Sequence, residues 1–159
     1  MLLRILTVLV LLPTTGAAQG GSRYLNPPTL VKPNGYTHVV VAPDARTVYV
    51  AGQVAFDSTG QLVGGSDFQA QAERVFQNLR RALSSVGGSL DDVVKTTTFV
   101  TDQKNVEKLR EIRLKYLDKA HPPANTLVVV SSLARPNLLI EIEAVAVLSG
   151  VVRHTGADR

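Results

Sequence analysis

An α+β domain is what this sequence predicts, with a mixed β-sheet covered on one face by two helices. Three observations carry that expectation. Two segments repeat apolar residues at the helical period, and several β-branched runs flank them. The elements follow the order ββ(β)αβαββ, with no internal repeat and no low-complexity tract. The last strand and the run Leu127–Val128–Val129–Val130 carry apolar residues on both faces, more than two helices could cover.

The elements follow in chain order. Arg4 and the apolar run Ile5 to Leu12, closed by Pro13 and Gly16-Ala17-Ala18, predict a signal peptide over residues 1–18. The run is too short to span a bilayer. An exported protein, periplasmic or secreted, with no membrane attachment after cleavage, is the expectation. Residues 19–35, rich in Gly, Pro, Asn and Ser, read as an extended lead-in. The domain is placed at 36–150 and a C-terminal tail at 151–159. Tyr36 to Val41 and Thr47 to Gly52 form a predicted hairpin across the turn at Pro43-Asp44.

Ser66-Asp67 opens the first helix. Phe68, Ala72, Val75, Phe76, Leu79, Ala82, Leu83 and Val86 make its apolar stripe, and Gly87-Gly88 stops it. Val93 to Val100 is a strand. Asp102 caps a second helix predicted to run to about Lys119, before His121-Pro122-Pro123. Thr126 to Val130 and Leu138 to Leu148 are the last strands.

Composition excludes several functions. The chain has no cysteine, so thiol catalysis and cysteine metal sites are ruled out. Its 17 Lys and Arg against 13 Asp and Glu are scattered, and phosphate binding calls for a clustered basic face, so no nucleic-acid partner is expected. His38, His121 and His154 lack metal-ligand spacing, so no metal is expected, and no cofactor is implied.

Two positions stand out chemically. Glu141 and Glu143, two apart on a strand, share the face that the helices leave uncovered. Charges among apolar neighbours need partners or water. Either they pair with basic groups across an interface, or one is a functional carboxylate in a cleft between subunits. Arg113 falls inside the apolar stripe of the second helix, with Arg110 at its edge. Arg113 either lays its stem on the core with its head in water or aims a guanidinium at a carboxylate. The doubly apolar sheet predicts self-association.

A set of short motifs then arrives in one order: Gly35-Tyr36-Thr37-His38, Val50-Ala51-Gly52-Gln53, Gln71 with Asn78-Leu79, Asp92-Val93-Val94-Lys95, Phe99-Val100-Thr101-Asp102, Pro123-Ala124-Asn125-Thr126 and Ile140-Glu141-Ile142-Glu143-Ala144. Together they resemble the RidA/YjgF family of reactive-intermediate deaminases, from about Gly35 to Leu148. The resemblance implies a chorismate-mutase-like fold and a homotrimer with clefts between subunits. It also implies a small-molecule metabolite as partner, and hydrolysis of reactive enamines and 2-imino acids to 2-keto acids and ammonia. In that scheme Glu141 orients the attacking water, and Tyr36, Asn125 and Thr126 line the substrate site. The family's carboxylate-binding Arg is Asn125 here, a neutral amide in place of a bidentate cation. Arg110 or Arg113 is the expected replacement cation; otherwise the cleft serves as a small-molecule binding module, or the trimer has a structural role without deaminase activity.

Overall fold

Every element of this fold can be followed from the helix that organises it. In the computed structural model, which describes residues 23–32, 38–41 and 47–148, helix α1 spans Phe68–Ser84. The Asp67 carboxylate caps its first turn, accepting from the Gln69 and Ala70 amides at 2.8 and 3.2 Å. The predicted stripe is the buried face: Ala72, Val75, Phe76, Leu79, Ala82 and Leu83 are all buried. Gly87 ends the segment at φ +76°, a left-handed conformation that glycine adopts at little cost.

Strands β1 (Arg23–Leu25), β2 (Val39–Val41), β3 (Thr47–Gln53), β4 (Val93–Val100), β5 (Ala124–Val129) and β6 (Ile140–Val147) form one sheet in the order β1-β2-β3-β6-β4-β5. All neighbours are antiparallel except β4 and β5, which run parallel. A parallel pair requires a crossover, and helix α2 (Val106–Arg113) supplies it. Leu109 and Ile112 of α2 are buried in the core, and Tyr116 beyond it stacks on Phe76 of α1 at 4.8 Å.

The alternation of β6 divides the molecule. Ile140, Ile142, Ala144 and Ala146 are buried under α1, while Glu143 and Val147 stand exposed on the other side. Tyr49 and Val128 share that open face and are likewise exposed.

Several boundaries differ from the sequence expectation, among them the start of β5 at Ala124 and of β6 at Ile140. The lead-in contains β1, which adds an edge strand to β2. Helix α2 ends at Arg113 and not near Lys119, because the chain tightens there into three-residue turns, Lys115 N–H to Ile112 O and Tyr116 N–H to Arg113 O. The Asp102 cap holds a short 3₁₀ turn, Gln103–Asn105, ahead of α2. The expected signal peptide and C-terminal tail lie outside the described residues.

Candidate functional site

Two polar residues on the buried face of α1 fix the walls of a cavity. Asn78 donates from Nδ2 to the carbonyls of Val54 and Phe56, both at 2.9 Å. Gln71 donates from Nε2 to Gly65 O at 2.6 Å and Asn137 O at 2.8 Å, and its Oε1 accepts from Leu139 N at 2.9 Å. Gln71 and Asn78 therefore tie the segment after β3 and the loop before β6 to one helix. Such groups are buried only because every polar atom is satisfied.

Between those two segments lies a cavity of about 440 Å³, whose lining includes Lys32, Gly52, Phe56, Arg135 and Glu141. Its volume is that of a small-molecule site. Lys32 is brought there by the segment after β1. His38 Nε2 lies 2.8 Å from Val31 O, and Gln53 Nε2 lies 3.2 Å from His38 Nδ1. The first contact makes Nε2 the protonated nitrogen, so Nδ1 accepts from Gln53.

Glu141 is the acidic group of the cavity. It pairs in register with Phe99 and so faces away from the helices. The register of β3 against β6 shifts between Val50 and Gln53, which lays Gly52 directly against it. A Cβ on Gly52 would stand 1.9 Å from Glu141 Oε1. Only glycine leaves the carboxylate this room. Burial pushes the Glu141 carboxyl above its ordinary range, and the neighbouring Glu143 carboxylate adds to the shift. A half-buried carboxyl of this kind binds and releases a proton closer to neutral pH than a solvated one.

The other expected site residues are dispersed. Tyr36 lies outside the described residues. Asn125 sits on edge strand β5 in register with Thr96, on the helix side of the sheet. Its Oδ1 accepts from Thr96 Oγ1 at 2.9 Å and Thr98 Oγ1 at 3.2 Å. Thr126 faces the opposite side and accepts from Lys95 Nζ. Arg110 is exposed and paired with Glu107. Arg113 is half-buried, and desolvation, with Arg110 nearby, lowers its guanidinium pKa. Neither arginine lines the cavity beside Glu141. Among the described residues, no cluster of three or more His, Asp or Glu could hold a metal, and no helix is long and apolar enough to cross a membrane.

Sequence reasoning missed Lys32 and Arg135. Arg135 falls between the last two predicted strands, where no periodicity marks a residue. The signal for it was a cation beside Pro136, six residues ahead of Glu141 on the same chain.

Comparison with known proteins follows the same outline. A family model described as endoribonuclease L-PSP matches residues 29–148. A RutC family protein of Pyrococcus horikoshii is 36% identical over 117 residues, covering 72% of this chain and 89% of its own. The mitochondrial protein MMF1 of Saccharomyces cerevisiae is 37% identical over 100 residues, 63% of this chain and 67% of its own. Among solved structures, RidA from the Antarctic bacterium Psychrobacter superposes with a TM-score of 0.70 at 32% identity, covering 79% of this chain and 98% of that one. Yeast Mmf1 gives 0.73 at 30% identity, covering 80% and 99%. These relatives correct the expectation of a signal peptide and a periplasmic protein. The yeast relative is a mitochondrial protein. The run Ile5 to Leu12 is seven apolar residues and Thr7 after a single Arg, a short pattern of low information.

Proposed function

Because the chain belongs to the RidA/YjgF family, we propose that it is a hydrolytic deaminase of a small reactive enamine or imine, working in a cleft completed by a second copy of the chain. The observation that carries this reading is the Glu141 carboxyl, half-buried at a small-molecule cavity with its pKa raised. Water adds across the C=N bond as Glu141 accepts its proton. That proton passes to nitrogen to give a carbinolamine; the hydroxyl proton then moves by way of Glu141 to the same nitrogen as the C–N bond breaks, ammonia leaves and a carbonyl remains.

Two features support a cleft between subunits. Tyr49, Val128 and Val147 expose apolar surface on the open sheet face, where Glu143 also stands. Such a face is stable when another copy covers it, and a homotrimer does so with closed symmetry. Asn125 and Glu141 lie on opposite sides of one sheet, so a shared site needs Asn125 from a neighbour.

The family description names an endoribonuclease. A cavity of about 440 Å³ with two cations suits a metabolite better than a phosphate backbone, which needs a basic track. A binding module is the second reading. It is favoured by Asn125, a neutral amide whose oxygen is already engaged by two hydroxyls.

The test is the rate of 2-ketobutyrate formation from 2-iminobutyrate generated in situ, for the wild type and its Glu141→Gln and Asn125→Arg variants. Acceleration by the wild type, lost in Glu141→Gln, is the expected result. Activity in Asn125→Arg alone means that the native cleft serves other substrates. No acceleration by any of them leaves the binding module.

A further inference from the structure

His38 and Gln53 are buried polar side chains that stand behind the cavity, whose lining includes neither. Between them they bond to two of its walls. His38 Nε2–H donates to the Val31 carbonyl at 2.8 Å, and Val31 lines the cavity. Across the ring, Nδ1 accepts from Gln53 Nε2 at 3.2 Å, and the same nitrogen donates to Ala51 O at 3.0 Å. Ala51 and Gly52 are lining residues too. The His38 backbone joins in, since its carbonyl accepts from Ala51 N–H at 2.9 Å.

Ala51 stands where β3 departs from regular pairing. Val50 pairs with Ala144 and Gln53 with Ile142, so three steps along β3 match two along β6. The extra residue makes a bulge, and Gly52 inside it lies against the Glu141 carboxylate. A bulge leaves a residue out of the ladder, and its backbone groups need other partners. The Gln53 amide is such a partner for Ala51 O. An amide side chain has two ends of similar shape, and its surroundings choose between them. The Val31 carbonyl can only accept, which puts the ring hydrogen on Nε2 and leaves Nδ1 an acceptor. With the amide reversed, Gln53 Oε1 would face two acceptors, Nδ1 and Ala51 O, and both bonds would be lost.

We propose that His38 is a positioning residue for the carboxyl group of the site: its Nδ1 turns the Gln53 amide toward Ala51 O, and this fixes the bulge that sets where Glu141 stands. His38 reaches the reaction only through Gln53, Gly52 and Glu141, and its effect on turnover rests on the deaminase reading above.

Two substitutions separate the sides of the ring. His38→Asn keeps an acceptor for Gln53 and gives up the Val31 bond. His38→Gln keeps a donor for Val31 and gives up the acceptor at Nδ1. Each is followed by thermal melts, steady-state 2-ketobutyrate release and NMR titration of the Glu141 carboxyl carbon. His38→Gln should lower kcat by roughly tenfold to a hundredfold with KM unchanged, because a reacting group is misplaced. Its Glu141 titration should move down toward the ordinary carboxyl range as the bulge loosens and water reaches the group. His38→Asn should recover most of kcat and the wild-type titration, even where the two variants melt at the same temperature. Gln53→Met removes the same bonds from the other side and should reproduce His38→Gln. If both His38 variants agree in kcat and in titration, the ring is a structural residue only; the assignment is overturned and the deaminase reading stands. If the wild type turns over no imine, the deaminase reading fails and the titration decides on His38 alone. A shift in His38→Gln that is absent in His38→Asn upholds its role, and equal titrations overturn it. Should the variants not fold, the ring nitrogen chemical shifts of the wild type decide. A hydrogen on Nδ1 overturns the assignment, and one on Nε2 with Nδ1 hydrogen-bonded upholds it.

Discussion

Gly52→Ala separates catalytic geometry from stability more cleanly than removal of Glu141 itself. The added methyl group would lie 1.9 Å from Glu141 Oε1, 2.8 Å from Cδ and 3.0 Å from Cγ, whereas ordinary contact begins at 3.4 Å. The carboxylate must therefore retreat by about 1.5 Å. The clash falls on the end of a flexible side chain and not on backbone, and Gly52 is outside the left-handed region where alanine would be strained. Stability should change little, with Tm within about 5 °C of the wild type. Catalysis should not escape, since a 1 Å misplacement of a reacting group costs on the order of a hundredfold. The assay is steady-state 2-ketobutyrate release alongside a thermal melt. Full activity at unchanged Tm would refute the role given to Glu141. A collapse in Tm would refute the local character of the contact.

Two further expectations concern the same sheet. The raised pKa of Glu141 means that its ionised form is less welcome in the folded state than in the unfolded one. Glu141→Gln should thus match the wild type in stability well below pH 4.5, and gain on it as pH rises through the ordinary and then the raised carboxyl range. Denaturant melts across pH would show this, and a constant difference at every pH would contradict it. On the open face, Tyr49→Glu places a charge where apolar surface is exposed. Sedimentation should show the wild type as a trimer and the variant dissociated; a monomeric wild type, or a variant that stays trimeric, would remove the basis for the intersubunit cleft.

Periodicity made α1 and β4 legible, because a buried stripe and a β-branched run each leave a regular pattern in the sequence. It did not reveal β1. Three residues in a stretch rich in Pro and Asn become a strand only through pairing with β2. Alternation singled out Glu141 and Glu143 together but could not separate them. What distinguishes Glu141 is the register shift in β3 that brings Gly52 against it, a property of two distant strands. That Asn125 and Glu141 face opposite sides follows from the register of β5, β4 and β6, which no one strand encodes. Arg135 was hidden for the same reason: loop residues carry no period, and its neighbours in the cavity come from other segments.

The three hydrogen bonds of Gln71 have a consequence for motion. A loop ahead of a strand usually opens locally, at a small fraction of the global unfolding free energy. Here the loop beside the cavity shares its anchor with the first turns of the main core helix, at sequence separations of 66 and 68 residues. Freeing the Leu139 amide thus means breaking a contact that holds α1 to the sheet. Its hydrogen exchange becomes tied to that of the core, and the wall that carries Arg135 behaves as part of the rigid body and not as a lid.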